Sequence, residues 1–171
     1  TLYLISGAEY INPHRKTYDD HDKLQVGYRI VELINKTTAD CQENSNLFSL
    51  VVETLSSLNV ATKNYVNLLF NFEFKLLKIL GFEIVLDDFL RENIDNSKVN
   101  QYFYETKYTP GDIKIMNHIM DGNFNSLISL DITRIQEAVV EKFFEGFFRD
   151  HFDHAGYMKT KRVFDSKEMT R

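Results

Sequence analysis

The chain has 171 residues, 43 % of them hydrophobic, enough for one domain with a buried core. No run of about 18 uncharged apolar residues occurs, so no transmembrane span is expected. The single cysteine, Cys41, excludes an internal disulfide and any zinc site built from cysteines, and it suits a reducing cytosol. The net charge of −5 conceals an asymmetry: through His154 there are 15 Lys and Arg against 23 Asp and Glu, and from Ala155 onward five against two. An acidic body is a poor phosphate-binding surface, so any contact with nucleic acid is expected of the basic tail. The opening TLYLISGAEYIN has neither the charged start nor the long apolar stretch of a targeting signal, and Thr1 reads as a cut edge.

Leu2 to Ser6, LYLIS, reads as a short strand with apolar residues on both faces and no nearby partner. A helix is set up at Asp19-Asp20, where acids suit a helix N-terminus, with Leu24, Tyr28, Val31 and Ile34 on one face. Gly27 inside it is a weak point that invites close helix packing. After the polar connector TTADCQENSN, a second helix from about Asn46 buries Leu47, Leu50, Val51, Thr54, Leu55 and Leu58. A third is expected from near Thr62 to Leu80, ended by Gly81 in a left-handed conformation. Val66, Leu69, Phe70, Phe72, Phe74, Leu76, Leu77, Ile79 and Leu80 make it apolar over so much of its circumference that it should be central.

Residues 91–108 lose the helical period, and VNQYFY reads as a small extended excursion near 99–104. TPGD then opens a fourth helix, with Thr109 as N-cap, Pro110 in the first position and Asp112 completing a capping box. Ile113, Met116, Ile119 and Met120 form its face before Gly122 stops it. The last long helix is expected from Asp131 or Thr133 to about His154, with Gly156 as terminator. Its two apolar seams are Ile135, Val139, Val140, Phe143, Phe144, Phe147, Phe148 and Phe152. The fold class is therefore all-α, a bundle of about five helices with a short N-terminal strand.

Little in this pattern points to catalysis. His151 and His154 in DHFDH stand three apart on a helix and could share an ion, but no Glu-x-x-His or second His pair supplies further ligands, and histidines also suit a helix C-terminus. Cys41 sits in a polar linker, and Asp87-Asp88 reads as a solvated or capping pair rather than an acid/base couple. No phosphate-cradling glycine loop exists, and no metal or cofactor is expected. The tail GYMKTKRVFD interleaves Tyr157, Lys159, Lys161, Arg162 and Phe164, a pattern that binds phosphate or an acidic peptide, or closes the bundle.

Three segments in order carry a resemblance. FEFKLLKILGFEIVLDDF, from Phe72 to Phe89, resembles the signature of the bacterial DNA repair family RecO in its helical C-terminal domain. The stretch from Leu2 to Thr38 is similar to that family's passage from an N-terminal OB-fold into its first bundle helix. FFEGFFRDHFDHAGYMKTKRVFD is similar to its final helix and ending, with Lys159-Thr160 in place of Lys-Ser.

The resemblance implies that residues 1–12 are the last strand and linker of an OB-fold, and that residues 13–171 form the helical domain. It also implies a recombination mediator rather than an enzyme, a cytoplasmic, nucleoid-associated protein. Such proteins bind single-stranded DNA, RecR and the single-stranded-DNA-binding protein SSB, anneal strands and help load RecA. Many relatives carry a four-cysteine zinc finger beginning where Phe89 stands; here 89–108 lacks cysteine and is expected to be shortened and metal-free. Relatives often place Arg before the Phe-Glu pair, where Phe70 and Asn71 stand, so an SSB tail would need another cation. Lys159, Lys161 and Arg162 are the expected contacts to DNA or acidic peptide, with Lys75 and Lys78 on the exposed edge of the third helix behind them. The alternative is a helical protein-interaction module without a DNA role.

Overall fold

The computed structural model describes residues 12–39, 43–90 and 108–152, together with Gly7 and Glu9. These residues form seven α-helices and one 3-10 turn, with no strand among them. The helices are α1 (Arg15–Tyr18), α2 (His21–Thr37), α3 (Ser45–Val60), α4 (Tyr65–Ile79), α5 (Pro110–Asp121), α6 (Phe124–Ser129) and α7 (Arg134–His151); Leu86–Leu90 forms the 3-10 turn. Five long helices stand where the periodicity puts them. The short α1 and α6 are additions. The expected strand at 2–6, Cys41, the excursion near 99–104 and everything after Phe152 lie outside the described residues.

Local chemistry accounts for most boundaries. The Asp20 carboxylate accepts from the Asp22 and Lys23 amides and opens α2. Thr109 and Asp112 form the expected capping box on α5, and Thr133 with Gln136 forms a second on α7. Gly81 adopts φ 93°, and the Phe82 amide donates to Leu77 O at 3.0 Å, the bond that closes a left-handed helix end. Gly122 stops α5 differently. Its backbone is extended, and a Cβ there would lie 2.7 Å from Leu127 Cδ2 and 2.8 Å from His118 O, so the site needs a missing side chain rather than a positive φ.

Helix α4 is central, as its apolar circumference predicts. It touches α2, α3, α5 and α6 along its backbone, and ten of its fifteen residues are buried. Phenylalanine rings fill the space between α4 and α7: Phe144 lies 6.0 Å from Phe70 and 4.7 Å from Phe74, and Phe143 lies 5.7 Å from Phe74. The aromatic seam of α7 is thus core, with Phe143, Phe144, Phe147 and Phe148 all buried.

Several expectations are corrected. The buried face of α2 is Lys23, Val26, Arg29, Ile30 and Leu33, whereas Tyr28 and Val31 are 52 % and 49 % exposed. The helix is rotated by about one residue, roughly 100°, because Arg29 and Lys23 find partners inside. Lys23 Nζ donates to Asn59 O and lies over the Tyr65 ring. Gly27 mediates no close approach, since an added Cβ would meet only Thr17 Cγ2 at 4.0 Å. Ile135 is exposed, outside the seam. Helix α4 starts at Tyr65 rather than Thr62 because Asn64 takes φ 55° and breaks the helical run. Helix α7 ends at His151, where Phe152 turns extended, and not at about His154.

Candidate partner-binding groove and the buried charges behind it

The left-handed turn at Gly81 brings Phe82 back against α7, where its ring meets Phe147, His151 and Phe152 edge-on. This return, the last turns of α4 and the C-terminal end of α5 enclose a groove of about 640 Å³. Phe74, Phe82, Ile84 and Met120 give it an apolar floor. Lys75, Lys78, Glu83 and Asp121 stand on its rim. Lys75 is half-buried and Lys78 exposed, so the two second-rank cations of the sequence share one concave site. An apolar floor beneath lysines suits a segment that offers an aromatic or aliphatic side chain next to carboxylates.

The leading candidates, Lys159, Lys161 and Arg162, lie outside the described residues, as do Tyr157 and Phe164. His154 does too, while His151 is occupied: its Nδ1 is 2.9 Å from Phe147 O and its ring stacks on Phe147 at 4.1 Å. Asp87 and Asp88 follow no strand. They sit in the 3-10 turn, where Asp87 accepts from Asn117 Nδ2 at 3.4 Å. Among the described residues no group of three or more His, Cys, Asp or Glu is placed to hold a metal, and no helix is long and apolar enough to cross a membrane.

Two arrangements escaped the sequence reading. Asn64, Asn67 and Asn71, spaced three and four apart, turn their amides onto the ends of α5 and α6. Asn71 Nδ2 donates to Ile119 O at 2.7 Å and reaches Met120 O and Gly122 O, while Asn67 Nδ2 donates to Leu127 O and Leu130 O, and Asn64 Nδ2 to Ile128 O and Leu130 O. These carbonyls lie at helix ends, where backbone donors run out; Ile119 O and Leu127 O have only long backbone bonds, 3.4 Å from the Gly122 and Leu130 amides. Asn71 therefore faces inward, and the position just before Phe72 and Glu73 is a structural clamp in this chain.

The second is a charge cluster. Arg29 on α2 sends Nη2 to Glu73 Oε1 on α4 and Nη1 to Glu141 Oε1 on α7, each at 3.2 Å. Glu73 is fully buried. Burial pushes its carboxyl up to about 7, an effect that Arg29 opposes and the charges of Glu141 and Glu145 reinforce. The visible signal was a carboxylate between two phenylalanines, Phe72 and Phe74, on a helix apolar nearly all round.

A bundle of this kind, with a groove between α4 and α5 and an ion-paired cluster joining α2, α4 and α7, is an all-helical domain. The comparisons specify which. The family model described as recombination protein O C terminal matches residues 18–160, and the chain belongs to that family. It is 21 % identical over 167 residues to the DNA repair protein RecO of Thermoanaerobacter sp. (strain X514), covering 88 % of this chain and 67 % of that one. It is 32 % identical over 83 residues to the DNA repair protein RecO of Chloroherpeton thalassium (strain ATCC 35110 / GB-78), covering 48 % of this chain and 32 % of that one. The chain thus spans about a third of one curated relative's length and two thirds of the other's. No solved structure matches it.

Proposed function

We propose that this chain is the helical part of a DNA repair and recombination mediator. It works by binding: single-stranded DNA through the basic tail, and protein partners of the RecR and SSB kind through the bundle, so as to promote strand annealing and RecA loading in the cytoplasm. The family match over residues 18–160 carries this reading. The groove that gathers Lys75 and Lys78 over Phe74 and Met120 supports the protein-partner half, because an aromatic side chain suits its floor and a neighbouring carboxylate suits the lysine side of a rim that also carries Glu83 and Asp121. The charge asymmetry supports the DNA half, since 15 basic residues against 23 acidic through His154 leave Lys159, Lys161 and Arg162 as the favoured phosphate contacts.

The test is a titration of labelled single-stranded DNA with the full-length protein and with a Lys159→Ala, Lys161→Ala, Arg162→Ala variant at several salt concentrations. Loss of three phosphate contacts should lower affinity and flatten the slope of log K against log salt by about 2. An unchanged slope sinks the tail assignment. A second reading, a helical protein-interaction module with no DNA role, draws on the acidity of the body. It predicts that the full-length protein binds an acidic, Phe-terminated peptide and leaves single-stranded DNA free.

A further inference from the structure

We propose that Arg29, Glu73 and Glu141 form a proton-operated latch that sets how tightly α7 is held on α2 and α4. One guanidinium spans three helices, at 3.2 Å to a carboxylate on each of the other two. The two acids differ in what they can do. Glu73 is fully enclosed and cannot reach water without the bundle opening, whereas the Glu141 side chain is 21 % exposed and hydrates readily once α7 lifts. The charged groups acting on Glu73 are Arg29 from α2 and Glu141 and Glu145 from α7. With Glu73 ionised, a single cation faces two close carboxylates and a more distant third, and the enclosed cluster carries excess negative charge. With Glu73 protonated, Arg29 and Glu141 balance.

The ionised form of Glu73 has slight support. Its oxygens accept no hydrogen bond of normal geometry and Arg29 Nε donates none, so the ion pair at 3.2 Å stands against full desolvation. A carboxyl raised from 4.5 to about 7 favours the closed bundle when protonated. That stabilisation is complete below the open-state value and is lost as pH rises through the closed-state value. Alkaline conditions therefore loosen α7 and the Phe143, Phe144 and Phe147 rings that it seats.

Hydrogen exchange of the α7 backbone amides in the full chain, corrected for intrinsic exchange rates, tests the latch. From the two values above, opening should be about thirtyfold more frequent at pH 8.5 than at pH 5.5. Glu73→Gln should flatten the profile near its low-pH level. Glu141→Gln, which leaves Arg29 to Glu73, should move the midpoint to lower pH. A flat wild-type profile, or a Glu73→Gln profile that keeps the wild-type slope, overturns the proposal. If Glu73→Gln does not fold, the carbon-13 titration of the Glu73 carboxyl decides. A midpoint near 7 that falls in Glu141→Gln supports the latch, and a midpoint near 4.5 defeats it.

Discussion

Replacing Asn71 isolates the clamp that joins α4 to the end of α5. The side chain is buried and its amide nitrogen lies 2.7 Å from Ile119 O, with Met120 O and Gly122 O at 3.2 and 3.4 Å. In Asn71→Ala the bond is lost, worth about 1 kcal/mol, and Ile119 O keeps only the long 3.4 Å bond from the Gly122 amide, so its weakened satisfaction adds about 1–2 kcal/mol. A net cost of about 2–3 kcal/mol in a domain of this size lowers Tm by about 5–10 °C. Asn71→Asp keeps the shape but points a carboxylate at the same carbonyls, so it should cost more than alanine despite its better fit. Urea and thermal unfolding at pH 7 measure both. If the aspartate variant is as stable as wild type, or loses less than the alanine variant, the carbonyl-clamp account is wrong.

Phe144 touches Phe70, Phe74, Phe143 and Phe148, and Phe144→Ala should cost about 3–5 kcal/mol, read as a fall in the urea midpoint. The glycines in α2 and after α5 should respond in opposite senses in the same assay. Gly122→Ala drives a Cβ into His118 O and Leu127 and should lose about 1–3 kcal/mol, whereas Gly27→Ala has room and should gain about 0.5–1 kcal/mol.

Much of the bundle was legible because its determinants are local or periodic. Thr109 with Asp112 announces a capped start, Gly81 a left-handed stop, and the phenylalanines of α7 a buried seam. The misreadings arose where distant partners decide. Arg29 is polar in the sequence, so the apolar stripe of α2 was drawn through Tyr28 and Val31; the buried Glu73 pulls Arg29 inward and rotates the face. Asn67 and Asn71 in α4, and Asn64 just before it, carry no local signal of their role, because their acceptors are at the distant ends of α5 and α6. At four and six residues, α1 and α6 are too short to show a period. The groove is a meeting of α4 and α5, some forty residues apart, and nothing local to Lys75 and Lys78 signals the Met120 wall opposite.

The proposed partner site is that groove. Fluorescence anisotropy with the full-length protein and an acidic peptide ending in phenylalanine, comparing wild type with Lys75→Glu/Lys78→Glu, tests it. Both lysines lie on the rim, so reversing them should leave Tm within about 2 °C while weakening binding tenfold or more, equivalent to about 1.4 kcal/mol. Equal affinity in the two proteins, with both folded, would contradict the groove as the partner site.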